Sequence, residues 1–386
     1  MSSPRASPQG GGLRRLVRYF LGLGTWGFGG PIATVGYMQR DLVERRGWLK
    51  RDDFLDGVAL GQTMPGPLAA QVVMWCGYLE AGALGALATA LPFIVPSFAL
   101  VLAVAFFYVR YRGLEVVQAL FYGIAPAVMA VIAVAAVNLA RLTNERDIRL
   151  WVISAITLAV TALTGTEIAI LFVVAGLVIM FWEAPPFRGK VANIPLVVPL
   201  RLATAGVLLG GADSASLVLL GLFFLKAGAF IFGSGLAIVP FLREGVVEQH
   251  HWLTERQFLD AVAMGLITPG PVVITAAFIG YLVKGLVGAL VATVAIFLPI
   301  YLGVVIPGRW FVRHRDHPAL RGFVKGATAA AAGAIGGATI VLARGAVVDW
   351  KTGLIAAVAL AFVLRFKNRE PVLVLLAATA GLLLYR

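Results

Sequence analysis

The amino-acid sequence predicts an all-α polytopic membrane protein built from two homologous six-segment repeats in inverted orientation, with about 12–13 transmembrane segments and broken helices. Three observations carry this prediction. Hydrophobic residues make up 60% of the 386 residues and charged residues only 13%, whereas soluble domains carry about a quarter charged residues. One long stretch of the first half recurs in the second half. Glycine and proline interrupt the apolar runs at matching positions of both copies.

The repeat is visible without any gap. Residues 28–67 match residues 232–271, with 17 of 40 positions identical, and both stretches end in Pro-Gly-Pro. Internal similarity of this length indicates a duplicated structural unit. We therefore expect four parts along the chain. They are a disordered N-terminal tail over 1–12, a first transporter repeat over 13–183, a linker over 184–216 and a second transporter repeat over 217–386.

Each repeat contains six apolar segments that approach the roughly 20 residues needed to cross a bilayer. The segments cover 16–37, 54–79, 83–109, 115–140, 149–163 and 167–183 in the first repeat, and 219–242, 257–282, 285–308, 322–343, 352–364 and 371–385 in the second.

The relative orientation of the repeats depends on whether the linker crosses the membrane. Its residues 191–210 form only a weak candidate span, because they contain two prolines and an arginine. If this span crosses, the repeats are inverted, and 18 Lys and Arg residues lie in the cytoplasm against 11 outside. If it does not cross, the numbers become 13 and 16. The positive-inside rule favours crossing. The loop 40–53 fits poorly, since it would lie outside with five basic residues, and a re-entrant first segment is the alternative.

Composition excludes several other classes of protein. The basic residues lie between the apolar segments rather than along one soluble face, which excludes a nucleic-acid-binding domain. The single cysteine, Cys76, excludes an internal disulfide and a thiolate metal cluster. We find no nucleophile and base, no metal-ligand set and no phosphate-binding GxxxxGK[ST] loop. The sequence thus predicts neither an enzyme nor a resident cofactor.

The glycine and proline breaks are the main candidate binding elements. Proline ends one helix and can begin another, and the new helix N-terminus attracts an anion while glycine allows close approach. In inverted-repeat transporters such breaks meet near the midplane. The alternative is that glycine and proline only kink and pack the helices. The candidate substrate-binding residues at the breaks are Gly29, Gly30, Pro31, Gln62, Thr63, Pro65, Gly66, Pro67, Gly233, Ser234, Thr268, Pro269, Gly270 and Pro271.

Ionisable residues within apolar segments are costly and therefore indicate function. Lys226 lies a few residues before the second-copy break, where the first copy has Gly22, and we expect it to bind the oxyanion close to the crossing of the broken helices. The alternative is that its side chain extends to the interface. Asp56 and Asp260 lie near the starts of equivalent segments and are candidates for proton coupling, although a carboxylate at a helix start is also structurally ordinary.

With FGGP at 28–31, WLKRDDFLDGVALGQTMPGP at 48–67 and the second-copy versions of both, the sequence resembles the chromate transporter family in its long two-domain form. The resemblance implies a multi-pass protein of the bacterial inner membrane that exports chromate with the proton motive force. Its partners would be chromate or a similar oxyanion, the lipid bilayer and protons. The second copy departs from the pattern at Ser234 and Gly235. A sulfate or other oxyanion permease and an anion channel remain alternatives, and the oligomeric state is not indicated.

Overall fold

A computed structural model of the chain describes residues 12–27, 30–111, 115–164, 169–184, 212–231, 238–308, 310, 317–366 and 370–385. Regular structure in these ranges is helical throughout. The α-helices are α1 Leu13–Trp26, α2 Gly30–Met38, α3 Arg51–Thr63, α4 Leu68–Tyr111, α5 Glu115–Asn144, α6 Ile148–Thr164, α7 Ala169–Glu183, α8 Ala212–Ala229, α9 Ile238–Arg243, α10 Glu255–Ile267, α11 Thr275–Val305, α12 Pro318–Ala346, α13 Trp350–Arg365 and α14 Glu370–Leu384. The all-α prediction is confirmed. Most of the predicted tail over 1–12 and of the linker over 184–216 lies outside the described residues.

The helices of the first copy, α1–α7, recur in the same order as α8–α14. Even the irregular backbone recurs. Gly82 and Gly285 both have φ of 60°, and the residues before them, Ala81 and Lys284, have φ of −141° and −143°. A left-handed φ of this kind favours glycine. The duplication seen in the sequence is therefore a duplication of three-dimensional structure.

The first two helices of each copy form a hairpin. The Tyr19 hydroxyl on α1 donates to an Asp41 carboxylate oxygen after α2, at 3.3 Å, and the Arg46 guanidinium lies 5.3 Å from the Tyr19 ring centroid. The chain therefore returns along α2 to the level at which α1 began. In the second copy Phe223 on α8 stacks on Phe241 of α9, with ring centroids 5.5 Å apart. The segments 16–37 and 219–242, predicted as spans, are re-entrant instead.

The next two helices form a second hairpin. The Trp75 indole N–H on α4 donates to the Asp53 carbonyl oxygen at the start of α3, at 2.8 Å. Nearer the tip, Leu68 on α4 lies against Gly61 on α3. The two helices therefore run antiparallel, and the Pro-Gly-Pro sequence forms the tip between them. The predicted spans 54–79 and 257–282 are also re-entrant hairpins, because packing between their two halves reverses the chain at the prolines.

Helix α4 itself reverses at Ala81 and Gly82 into α4a, residues 68–80, and α4b, residues 83–111. The Thr89 hydroxyl on α4b donates to the Val73 carbonyl on α4a at 2.9 Å, and Gly77 and Gly85 bring the two backbones close together. The corresponding reversal divides α11 into α11a, residues 275–283, and α11b, residues 286–305.

The later helices cross the membrane. Four described helical segments are long and apolar enough to do so: Leu68–Tyr111, Gln118–Asn144, Val272–Val305 and Pro318–Ala346. The first and third of these contain the reversals, so α4b and α11b are the crossing parts. Helices α6, α7, α13 and α14 are apolar and have 15–17 residues, which corresponds to about 25 Å at 1.5 Å per residue.

Equivalent helices of the two copies run in opposite directions. The Tyr301 hydroxyl near the end of α11b donates to the carbonyl of Ala83, the first residue of α4b, at 3.0 Å. At the other end of α4b, Tyr108 packs edge-on against Phe278 of α11a, close to where α11b begins. An axis that relates antiparallel helices is perpendicular to them and thus lies in the membrane plane. The repeats are inverted, as predicted.

The inversion gives the protein two distinct faces. The N-terminal face carries the start of α1, the end of α7 and the start of α12, where Lys325 pairs with Glu183 at 3.2 Å. The C-terminal face carries the start of α5 and the end of α14, where the Tyr385 hydroxyl donates to Gln118 at 2.8 Å. The hairpins α1/α2 and α3/α4a enter from the N-terminal face, whereas α8/α9 and α10/α11a enter from the C-terminal face.

The copies exchange helices across this axis. Helix α12 of the second copy packs between α6 and α7 of the first, and α5 of the first copy packs between α13 and α14 of the second. Small residues allow this approach: Gly333 on α12 lies against Ser154 on α6, and Gly123 on α5 lies against Gly381 on α14. Such close approach of backbones is typical of helix packing in membranes. The exchanged helices hold the two inverted hairpin pairs in one body.

Candidate functional site

The two Pro-Gly-Pro tips lie at the inner ends of the re-entrant hairpins. Gly66 has φ of +144° and Gly270 has φ of +94°, a region that residues with a Cβ rarely adopt. Each tip reaches the first-helix break of the opposite copy. The Gly66 N–H donates to the Ile231 carbonyl at 2.6 Å, and the Gly270 N–H donates to the Gly27 carbonyl at 3.4 Å. The structure therefore brings tips and breaks together at one place between the copies.

Side chains from α4a and from the crossing helix α4b support the tips. Gln71, fully buried on α4a, donates through Nε2 to the Pro65 carbonyl at 3.0 Å and the Met64 carbonyl at 3.3 Å. Its Oε1 has no hydrogen-bond partner among the residues that the structure describes. On the other side, the Ser97 hydroxyl of α4b donates to the Pro269 carbonyl at 2.5 Å. Sequence reasoning did not single out Ser97, because its role appears only when the hairpin from the opposite copy is in place.

The backbone geometry changes one detail of the predicted anion cage. The N–H groups of Gly66 and Gly270 are already bonded to carbonyl groups of the opposite copy. The first turn of a helix still has N–H groups without acceptors inside the helix. In the first copy that turn begins at Leu68, directly after the tip, and it directs the positive end of the α4a dipole towards the junction.

The remaining predicted residues at the breaks fall into four groups. Gly29, Gly233 and Ser234 lie outside the described residues, and of Gly30, Pro31 and Thr63 only the helical backbone is described. Gln62 is exposed at the end of α3. Thr268 is buried and donates its hydroxyl to the Met264 carbonyl of its own helix at 3.0 Å. Pro67 and Pro271 are buried at the two tips.

Lys226 lies in the last turn of α8, five residues before Ile231. Its ammonium nitrogen lies 5.5 Å from the centroid of the Phe241 ring on α9, a cation–π contact. The Lys226 side chain is exposed, whereas the neighbouring Gly228 packs against Ile296 of α11b. The side chain thus lies in the groove of the α8/α9 hairpin, and its participation in substrate binding stays a prediction.

The two predicted coupling carboxylates are buried at 8% exposure for Asp56 and 3% for Asp260. The Tyr108 hydroxyl of the first copy donates to Asp260 of the second at 2.6 Å. Asp56 lies seven residues before Thr63, the last residue of α3, which is about 10 Å along the helix. Both carboxylates are therefore removed from the tips and lie along the hairpins. Their role in proton coupling is not tested by this geometry.

A cavity of about 580 Å³ opens in the α1/α2 hairpin on the N-terminal face. Four arginines and one aspartate line it together with four aromatic residues. Gly27 also lines the cavity, and its carbonyl oxygen accepts the hydrogen bond from the Gly270 N–H of the opposite tip. The lining residues are Arg15, Arg18, Tyr19, Gly22, Leu23, Trp26, Gly27, Tyr37, Arg40, Asp41, Arg46 and Trp48. Sequence reasoning missed this cavity, because a spanning first segment would have placed Arg18 and Arg46 on opposite faces.

Inverted repeats, re-entrant hairpins that meet between the copies and a charged cavity leading towards them define a multi-pass membrane transporter. The family model described as "Chromate transporter" matches the chain twice, over residues 14–181 and 218–382. The chain belongs to the chromate transporter family.

Individual relatives agree with this assignment. The "Chromate transport protein" of Cupriavidus metallidurans is 49% identical over 374 residues, covering 97% of this chain and 93% of the relative. The "Probable chromate transport protein" of Synechococcus elongatus is 45% identical, covering 97% and 96%. The "Chromate transport protein" of Pseudomonas aeruginosa is 32% identical, covering 95% and 91%. No solved structure shows a significant match. These relatives are named as transporters, and the prediction that this chain is not an enzyme is confirmed.

Proposed function

We propose that this protein is a secondary transporter that exports chromate across the bacterial inner membrane, driven by the proton motive force. Two relatives that cover almost the whole chain are named for chromate transport. The observation that carries the proposal is the junction of the two tips, where Gly66 and Gly270 of opposite hairpins each bond to the opposite copy. A site near the pseudo-two-fold axis can be exposed to either face by small, related movements of the two copies.

The orientation of the protein follows from its basic residues. Fourteen described Lys and Arg residues lie towards the N-terminal face and six towards the C-terminal face. The first group is Arg14, Arg15, Arg18, Arg40, Arg45, Arg46, Lys50, Arg51, Arg141, Arg146, Arg149, Arg321, Lys325 and Arg365, and the second is Arg110, Arg243, Arg256, Lys284, Arg344 and Lys351. By the positive-inside rule, this distribution supports a cytoplasmic N-terminal face. The loop 40–53 then no longer conflicts with the rule, because the re-entrant hairpin returns it to the cytoplasmic face.

The junction suits a tetrahedral dianion. The start of α4a directs its dipole towards it, and a helix N-terminus favours negative charge. Lys226 supplies the one basic side chain near the end of α8. A lysine within the hydrocarbon region costs about 2.5–3.5 kcal/mol on insertion scales, and a bound dianion would offset that cost.

Protons are the proposed coupling ion. Asp56 and Asp260 are buried carboxylates on equivalent hairpins, and buried ionisable residues in membrane segments often mark proton relays. Asp260 is bonded to Tyr108 of the other copy, so a change in its protonation would alter a contact between copies. That coupling of charge to inter-copy packing is what an exchange mechanism needs.

Sided membrane vesicles test the proposal. In everted vesicles that carry the protein, we expect radioactive chromate to accumulate against its gradient when the interior is acidified. A protonophore should abolish that accumulation. Accumulation of sulfate in place of chromate would favour the permease alternative. Chromate flux that only follows the membrane potential, with no uphill accumulation, would favour the channel alternative and refute secondary transport.

A further inference from the structure

We propose that the basic cavity of the α1/α2 hairpin on the N-terminal face is a loading site for the oxyanion, and that the described part of the corresponding α8/α9 groove on the C-terminal face binds it more weakly. This inference rests on the proposed function and deepens it. It concerns where the substrate binds before it reaches the junction of the tips.

The position of the cavity supports a loading site. It opens on the N-terminal face, and Gly27 is one of its lining residues. The Gly27 carbonyl accepts the N–H of Gly270 at the tip of the opposite hairpin. An ion that descends the cavity therefore arrives beside the junction of tips and breaks. The volume of about 580 Å³ exceeds what one hydrated tetrahedral anion needs.

The charges in the cavity are arranged to hold an anion. Arg18 forms no ion pair or hydrogen bond with any described residue, so its charge is available. The Arg46 guanidinium lies between aromatic rings, 5.3 Å from the Tyr19 centroid and 4.7 Å from the Trp48 centroid. Stacking of this kind orients a guanidinium without neutralising it. Asp41 is the only acidic residue among the described lining residues, and it pairs with Arg40 at 3.3 Å.

The corresponding groove of the second copy has lost most of this charge. At an offset of 204 residues, Arg15 and Arg18 are replaced by Leu219 and Leu222, and Arg40 by Glu244. The counterpart of Arg46 is His250.

Three basic groups remain near the second groove. Lys226 is exposed there, whereas His250 and Arg243 are less available to an anion. Burial lowers the pKa of His250, which favours the neutral form of its imidazole. Arg243 on the C-terminal face pairs with Glu248 at 2.5 Å and Glu255 at 2.8 Å. The described part of the second groove therefore carries fewer basic residues available to an anion than the first.

This difference in charge between the two grooves affects the affinity for chromate and the rate of chromate binding at each face. Net direction is set by the driving gradients. Clefts lined with charge of one sign raise the association rate of an oppositely charged ligand by about 10- to 1000-fold, and salt reduces the effect. We therefore expect a lower KM for chromate at the N-terminal face than at the C-terminal face. For an exporter with a cytoplasmic N-terminal face, the higher affinity would lie on the cytoplasmic side, where chromate must be bound at low concentration.

The same chemistry would also attract the phosphate of an anionic lipid headgroup, since basic and aromatic residues near an interface bind such lipids. Both ligands are tetrahedral oxyanions. The test must therefore separate a transported anion from a lipid. Membranes of phosphatidylcholine alone, compared with membranes containing phosphatidylglycerol, make that separation.

The test is the double substitution Arg15→Leu/Arg18→Leu, which installs the residues of the second copy. Arg141→Leu/Arg146→Leu is the matched control, because it removes two exposed charges from the same face outside the cavity. Initial chromate transport is measured from each face, in everted and right-side-out vesicles, at low and high salt. An accessible C-terminal tag confirms that both variants insert in the wild-type orientation.

We expect the cavity variant to raise the KM at the N-terminal face about tenfold or more. The KM at the C-terminal face, the maximal rate and the control variant should stay unchanged. Equilibrium dialysis with radioactive chromate in pure phosphatidylcholine should show the same loss of affinity. An unchanged KM, an equal change at both faces or an effect confined to membranes with phosphatidylglycerol would overturn the inference. Failure of the wild-type protein to transport chromate would instead refute the proposed function itself.

Discussion

Substitution of Gly270 by alanine tests how the tip packs against α4b. A Cβ at Gly270 would overlap the Ser97 hydroxyl oxygen, and φ at this position is +94°. A residue with a Cβ in such a conformation costs about 1–3 kcal/mol, and overpacking adds about 1–3 kcal/mol. We therefore expect Gly270→Ala to lower the free energy of unfolding by about 2–6 kcal/mol, from the two terms together.

Alanine substitutions at two other glycines separate the contribution of backbone strain from that of overpacking. Gly285 has φ of +60° and open space around its Cβ position, so Gly285→Ala measures backbone strain alone. Gly36 lies in α2 with open space and no unusual φ, and Gly36→Ala should be neutral or stabilising by about 0.5–1 kcal/mol. Adding Ser97→Ala to Gly270→Ala removes the overlapping hydroxyl and should recover part of the loss.

The assays are thermal unfolding of the purified variants and chromate transport per inserted molecule. Gly270→Ala should lose both stability and transport, and Gly285→Ala should lose less stability. Equal destabilisation by the two substitutions would show that the tip is not packed against α4b. Full transport by a correctly inserted Gly270→Ala protein would show that the tip lies outside the transport path.

Substitutions at three further positions test the first tip, the α8 lysine and the contact between the copies. Gly66→Leu should abolish transport while the protein still inserts, because its Cβ would already lie 2.7 Å from Gln71 Nε2, and equal loss of inserted protein would favour a purely structural role. Lys226→Gln should raise the chromate KM strongly and Lys226→Arg should raise it less, because the arginine keeps the charge; an unchanged KM in Lys226→Gln excludes the lysine. Tyr108→Phe should destabilise the protein by about 1–3 kcal/mol, since it removes a hydrogen bond to a buried carboxylate, and unchanged unfolding would contradict that contact.

The repeat and the breaks could be predicted from the sequence because duplication leaves aligned residues, and Pro-Gly-Pro ends a helix wherever it occurs. The repeat and the glycine and proline pattern did not show that the first two apolar segments of each copy turn back on themselves. Residues 16–37 have the length and apolarity of one span, and only tertiary contacts such as Tyr19 with Asp41 show that the chain turns back. The basic loop 40–53 was the one signal in the sequence that pointed to this reversal.

The partners of the tips were equally inaccessible to sequence reasoning. Ser97 and Pro269 are 172 residues apart in the chain and meet only because the copies are inverted. The cavity residues Arg18 and Arg46 could be seen in the sequence only as charges flanking an apolar segment. In the structure they line one cavity, since the hairpin folds one end of the segment onto the other.

The central claim is that the repeats are inverted and that each dips its first two hairpins into the membrane from its own face. Single cysteines at Lys50 and His251, introduced into a Cys76→Ala protein, test it directly, because both residues are exposed in equivalent hairpin loops. Membrane-impermeant thiol reagents are applied to intact cells and to everted vesicles. We expect Lys50→Cys to react only in everted vesicles and His251→Cys only in intact cells. Labelling of both cysteines from the same side, or of Lys50→Cys from outside, would contradict it.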